Sequence, residues 1–267
     1  FGLRNPEPVG KADGRIWVVG DSMAFGWGVE QDEAYSSVAG RLAGTPTYNV
    51  ASPGTNVCGY QALLVRMPAD AKPRAVILGL ILENDVAEYD CRVDATGNAP
   101  GRGGDSWRAT EIKMFLTRHT ALYNFFAVSL KRVPFINDML VSLGLVAKGH
   151  AYSMPLSAET LSTAVERTAA EIATLRAMLP KGTPLAVLIA STRFEIRDGD
   201  PFSRRLRSEV SAALARQDIV VIDPFEDFKR AGFGPTHFAH DGHWSPLGHD
   251  IAGRAVAEWL RKRGFGG

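Results

Sequence analysis

A chain of 267 residues with 45% hydrophobic and 22% charged content is long enough to bury one large core and too apolar to remain disordered. Its 30 lysines and arginines are balanced by 29 acids, so no strong field draws in nucleic acid, and no nucleic-acid partner is expected. The longest mid-chain apolar stretch, Ala121 to Leu130, is interrupted by Asn124 and Ser129 and closed by Lys131 and Arg132, too short to span a bilayer. Phe1 to Gly14 shows no basic head followed by an apolar run; a leader or anchor removed upstream stays open. Cys58 and Cys91 match no metal-binding spacing. Two buried thiols and a disulfide both fit, and a disulfide would point to an oxidising compartment such as a periplasm.

In chain order, short apolar runs alternate with amphipathic stretches. Arg15 to Gly20 reads as a strand, Ala34 to Leu42 as a helix, Tyr48 to Ala51 as a strand and Gly59 to Met67 as a helix. Ala75 to Leu82 is the third strand. After it Arg92 to Ser157 breaks the rhythm, with a Gly-rich loop from Gly97 to Ser106 and a mostly helical stretch from Ile112 to Leu145. The alternation then resumes with a helix over Ala158 to Leu179, a strand over Leu185 to Ser191, a helix over Ser203 to Arg216, a strand over Ile219 to Asp223 and a last helix over Pro246 to Arg263. In that last helix Leu247, Ile251, Ala255 and Leu260 fall at helical spacing and predict the buried face. The whole, 1–267, reads as one α/β domain around a five-stranded, mostly parallel sheet with crossover helices. Residues 92–157 form an insertion expected near the active site, because open α/β sheets bind ligands beyond the carboxyl ends of their strands. A plain helical crossover is the alternative.

Two segments carry chemistry. Val18-Val19-Gly20-Asp21-Ser22-Met23 is a buried strand running into an acid and a serine, which places Ser22 at the carboxyl edge of the sheet. Phe238 to Pro246 is a loop before the last helix that holds Asp241 and His243. A serine attacking a carbonyl needs an imidazole to take its proton and a carboxylate to orient that imidazole, and this pair supplies both. Asp21 reads more readily as a structural hydrogen-bonding residue than as a catalytic one.

Together these segments resemble the SGNH hydrolases, also called GDSL-type esterases. Gly20-Asp21-Ser22 is similar to the block that carries the nucleophile, and Ala51-Ser52-Pro53-Gly54 to the block whose glycine N–H helps form the oxyanion hole. Glu83-Asn84-Asp85 is similar to the block whose asparagine supplies another oxyanion donor, and Asp241 to His243 to the block that carries acid and base. The resemblance implies a three-layer, flavodoxin-like fold, catalysis by Ser22, Asp241 and His243, and an oxyanion hole from the N–H groups of Ser22 and Gly54 and the Asn84 amide. Three positions depart from the family pattern: Leu82 stands where a glycine is usual, Met23 follows the serine, and one residue instead of two separates acid from base. The longer spacing would pair His243 with His240, which cannot serve as the acid.

The activity so implied is cleavage of a short acyl ester, such as an acetyl group, on a small molecule or carbohydrate. Transfer of that acyl group to or from a polysaccharide is the alternative. No Gly-x-Ser-x-Gly elbow, phosphate loop or dinucleotide fingerprint is present, so no cofactor is expected. Two readings of other classes stand beside this one. His237, His240, His243 and His249, with Asp241 and Asp250, are residues of the types that bind zinc in a metal-dependent hydrolase. Trp27, Phe238 and Trp244 are candidate stacking surfaces for a non-catalytic carbohydrate-binding module.

Overall fold

The computed structural model describes residues 3–91, 142, 153, 155–239 and 242–266. The stretch expected as an insertion, 92–157, lies outside the described residues apart from 142, 153 and 155–157. Packing divides the chain into two units, Phe1–Ala95 with Leu156–Gly267, and Thr96–Pro155. The first unit holds the whole sheet.

Five strands form that sheet, all parallel: β1 (Ile16–Gly20), β2 (Thr47–Ala51), β3 (Ala75–Ile81), β4 (Leu185–Ala190) and β5 (Val220–Ile222). Their order, β2-β1-β3-β4-β5, reverses direction between β1 and β3, which opens a crevice at the carboxyl ends of those two strands. β1, β3 and β4 are buried along their whole length. This is why they read as continuous apolar runs without alternation. Helices cover both faces. On one, α3 (Val57–Val65), α4 (Ala158–Met178) and α6 (Pro201–Arg216) pack on Trp17, Val19, Leu78 and Val187. On the other, α2 (Tyr35–Ala43), α7 (Phe225–Ala231) and α9 (Pro246–Lys262) pack on Ile16, Val18, Ile77 and Leu188. Short helices α1 (Ser22–Phe25), α5 (Arg193–Asp198) and α8 (Phe233–Thr236), and a single 3-10 turn at Val9–Lys11, lie among the described residues as well. No helix among them is long and apolar enough to cross a membrane.

The ends of the helices follow local chemistry. Asn56 accepts from the Gly59 N–H at the start of α3, Asp200 from Ser203 at the start of α6, and Ser245 from Gly248 at the start of α9. Pro201 and Pro246 occupy first-turn positions, where a missing N–H leaves no partner unsatisfied.

The buried face of α9 differs from the one its large apolar residues predict. Leu247 is 42% exposed, and Ile251 and Ala255 are only partly buried. Leu260 is buried as expected, but the rest of the face against the core is Gly248, His249, Ala252, Gly253, Val256, Ala257 and Trp259. The cause is close helix packing. A Cβ on Gly253 would stand 2.6 Å from Val38 of α2, and one on Gly248 would stand 2.4 Å from the Thr236 carbonyl. Small residues here let α9 approach α2 and the end of α8, and that approach leaves Leu247 outside while Trp259 and Leu260 stay buried.

Cys58 and Cys91 form a disulfide, which resolves the choice left open by the sequence. Glu171 of α4 supports both sides of the bridge, accepting from the Gln61 side chain at 2.8 Å and from the Cys91 N–H at 3.3 Å. The bridge closes a loop of sequence separation 33 that contains the Asn84 turn and begins just after the Gly54 turn. Chain-entropy arguments assign such a loop a stabilisation of about 3–4 kcal/mol. Cys58→Ala/Cys91→Ala is therefore expected to lose about that much unfolding free energy, measured by urea denaturation of the variant and the oxidised parent.

Candidate active site

Three strand ends and one loop build the site. β1 ends at Gly20, where a Cβ would meet Ala24 at 2.6 Å, so only glycine lets α1 fold back onto the strand. Asp21 caps α1 by accepting from the Met23 N–H at 3.0 Å. Ser22 is thereby the first residue of a four-residue helix that stops at Gly26, which holds the left-handed conformation with φ 81°. At the end of β2 the Ser52 N–H donates to the Gly20 carbonyl at 3.1 Å, fastening the second turn to the first. Gly54 lies exposed in that turn with φ +77° and no atom within 4 Å of where a Cβ would be.

After β3 the chain turns tightly. The N–H groups of Asn84 and Asp85 donate to the Ile81 carbonyl at 3.1 and 2.8 Å. The fully buried Asp85 side chain accepts from the Ile81 N–H at 2.8 Å and from the Tyr60 hydroxyl at 2.7 Å. This turn leaves Asn84 exposed, with its side chain close enough to the Asp21 carboxyl to lower its pKa. Leu82, where the family pattern has a glycine, is 2% exposed and fills the core on the α3 and α4 face.

The fourth part is the loop before α9. His237 and Trp244 pair as an isolated antiparallel bridge. Inside it the Phe238 N–H donates to the His243 carbonyl at 2.8 Å, and the Gly242 N–H to the Phe238 carbonyl at 3.3 Å. Trp244, 1% exposed, anchors this hairpin among the rings of Tyr35, Phe228 and His249. It is a core residue and offers no stacking surface to a ligand, which corrects its place among the candidate stacking residues. With Trp244 fixed, the neighbouring His243 projects to the sheet edge, and its Nε2 lies 2.9 Å from Ser22 Oγ. Residues 221 apart in sequence are thus in hydrogen-bonding contact. His240 and Asp241 lie outside the described residues.

The other histidines of this segment are packed separately. His237 is 3% exposed with Nδ1 2.9 Å from Thr236 Oγ1, and burial pushes its pKa down to about 4. His249 is fully buried, accepts from the Tyr35 N–H at 3.2 Å, and is pushed down to about 3 by burial and then by the charges of His243 and Arg4. Two neutral imidazoles of this kind serve the core on the α9 face.

Two features of the site carry no signal in the sequence. The first is an ion pair between Glu83 and Arg193, at 3.2 Å, in which Glu83 also accepts from the Arg193 backbone N–H at 2.6 Å. The Arg193 guanidinium fills the space where a Gly242 Cβ would stand, 2.6 Å from its nearest nitrogen. It therefore joins the turn that presents Asn84 to the loop that presents His243. Single charged residues after two different strands give no hint of such a link.

The second is a buried pair of carboxyls behind Ser22. Burial pushes Asp21 up to about 6, against the lowering effects of the Met23 N–H, the His243 charge and the Asn84 side chain. Asp85 is raised well above the ordinary carboxylate range, first by burial and then by the charge of Asp21. A carboxyl raised in the folded state stabilises the fold below its unfolded pKa, 3.8 for Asp21, and that contribution is lost as pH rises through about 6. Asp21→Asn should thus gain stability relative to the parent between about pH 4 and pH 7. Urea unfolding of both proteins at these two pH values checks the sign; a pH-independent difference would refute it.

Comparison with known proteins agrees on the fold. No family model matches the sequence, and no curated protein matches it. Solved structures do match. A member of the lipolytic G-D-S-L family from Veillonella parvula superposes with a TM-score of 0.52 at 15% identity, covering 93% of this chain and 98% of its own. The lipase/acylhydrolase from Enterococcus faecalis gives 0.51 at 14% identity, covering 93% and 96%. A carbohydrate esterase family 2 enzyme with a carbohydrate-binding domain, from Corynascus thermopiles (Myceliophthora fergusii), gives 0.50 at 12% identity, covering 97% of this chain and 68% of its own. The chain therefore has the α/β fold of the GDSL-type, or SGNH, hydrolases.

Proposed function

We propose that this protein is a serine-dependent hydrolase of short acyl esters, acting through an acyl-enzyme on Ser22. The observation that carries the reading is the 2.9 Å contact between Ser22 Oγ and His243 Nε2 at the carboxyl end of β1. In the proposed cycle the Ser22 hydroxyl donates its proton to His243 Nε2 as Oγ attacks the ester carbonyl. The oxyanion so formed is held by the N–H groups of Ser22 and Gly54 and by the Asn84 amide. Among the described residues the Gly54 N–H has no hydrogen-bond partner, and the Asn84 amide is exposed beside the Asp21 carboxyl. His243 then returns its proton to the leaving alcohol, and water, activated by the same imidazole, releases the acid. Asp241 is proposed as the carboxylate that orients His243, on its position two residues before it in the sequence.

The acyl group is proposed to be small, acetyl in the first instance, and carried on carbohydrate. The named activities of the fold neighbours, lipase/acylhydrolase and carbohydrate esterase, are consistent with ester cleavage. An acceptor sugar in place of water would make the same acyl-enzyme a transferase. The disulfide suits an oxidising compartment such as a periplasm.

The direct test is covalent capture. A fluorophosphonate ester should add to the folded protein once, with the modified peptide containing Ser22, and prior incubation with a short acyl ester should slow the addition. Absence of labelling at Ser22 under conditions that label a known serine esterase would overturn the reading. Product analysis with acyl esters of increasing chain length, with and without sugar acceptors, separates hydrolysis from transfer.

A further inference from the structure

Trp27 is 49% exposed, yet its ring centroid lies 6.4 Å from that of His243. A lone exposed apolar side chain is ordinary on any protein surface. This one differs in how firmly its backbone is held. The Trp27 N–H donates to the Ser22 carbonyl at 3.0 Å. Gly26 and Gly28, on either side, both have positive φ, 81° and 86°. The Arg4 guanidinium donates to the carbonyls of Gly26 and of Val29, the latter at 2.6 Å, and so brackets the turn. On the far side a Cβ at Gly28 would meet the Phe238 ring at 2.8 Å, and Phe238 is itself hydrogen-bonded to the His243 carbonyl. The backbone that carries the indole is therefore tied to Ser22 and, through Phe238, to the His243 backbone, while the proposed proton transfers make no use of the ring.

We propose that Trp27 is a substrate-binding platform, on which the sugar ring bearing the ester stacks with its acyl group directed at Ser22. The inference rests on the esterase reading above and adds the alcohol side of the substrate. A pyranose offers one flat face of C–H groups and a rim of hydroxyls. An exposed indole matches the first with its ring and the second with its N–H, which has no partner among the described residues. A long acyl chain would instead need a continuous apolar channel. None of the other exposed large hydrophobics among the described residues, Leu42, Val65, Leu156, Met178 and Leu247, belongs to the 26–29 turn.

Two measurements decide the matter. Ser22→Ala and Ser22→Ala/Trp27→Ala are titrated by calorimetry with a panel of neutral and uronic-acid oligosaccharides. At least one oligosaccharide should bind the first protein, with affinity falling about tenfold or more in the second and largely recovered in Ser22→Ala/Trp27→Tyr. With Ser22 intact, Trp27→Ala should lower the ratio of kcat/KM for a sugar acetate to that for ethyl acetate by about tenfold or more, chiefly through KM. Equal losses on both esters would mean that Trp27 only supports His243, and would overturn the proposal. So would a failure of every oligosaccharide to bind, or a loss confined to long-chain esters. Trp27-dependent sugar binding in a parent that cleaves no ester would keep the platform and remove the esterase reading.

Discussion

Ser22→Ala is expected to lower turnover of a short acyl ester by about 10⁶-fold, the scale seen when a serine hydrolase loses its nucleophile. The expectation follows from the 2.9 Å Ser22 to His243 contact, which places the hydroxyl to exchange a proton with Nε2. His243→Ala should cost a similar factor, and the double variant little more than either alone, since the two side chains act as one unit. In Ser22→Ala the fold should survive, since the side-chain interaction lost is the hydrogen bond to His243, with a net value of about 1 kcal/mol. Steady-state kinetics beside urea unfolding separates the two effects. Retention of turnover in Ser22→Ala would place the chemistry elsewhere.

Asn84→Ala is expected to reduce kcat by about 10²–10³-fold with a smaller change in KM, the pattern of a donor that strengthens its bond only as the oxyanion forms. Because Asn84 is exposed, its removal should leave unfolding free energy nearly unchanged. The nearness of the Asn84 side chain to the Asp21 carboxyl adds a second consequence. A carboxyl beside an amide biases how that amide is oriented, so Asp21→Asn should also slow turnover, by less than Asn84→Ala. A Trp27 or Glu83 substitution acts on other atoms and should not reproduce that kcat-dominated signature.

The strands were legible because the central ones are buried on both faces, which leaves uninterrupted apolar runs such as Ala75 to Leu82. Their ends were legible to within a residue, since Ser52 and Glu83 change character abruptly where burial stops, and Gly20 is followed by the polar Asp21. The short helices were not. α1, α5 and α8, with four, six and four residues, are too brief for a helical period to show, and α1 is stabilised by the Asp21 cap and the Gly26 stop more than by propensity. The buried face of α9 escapes a hydrophobicity pattern because that pattern ranks Leu247 above Gly253, while the distance between two helices ranks them in reverse. Trp244 escapes it for a related reason: an aromatic residue in a loop looks available until the hairpin places it in the core.

Residue order alone established the class of fold, the residues that stand at the strand ends, and the succession of a serine, a glycine, an asparagine and a histidine along the chain. Those properties are local, set by burial period, turn residues and side-chain type. Three-dimensional packing was needed to show that Ser22 and His243 touch, that Cys58 bonds to Cys91, that Asp21 and Asp85 share a buried region, and that Arg193 joins two loops across the sheet edge. Each of these joins positions from different elements, and their separation is fixed by strand order and helix packing, quantities that no single stretch of residues encodes.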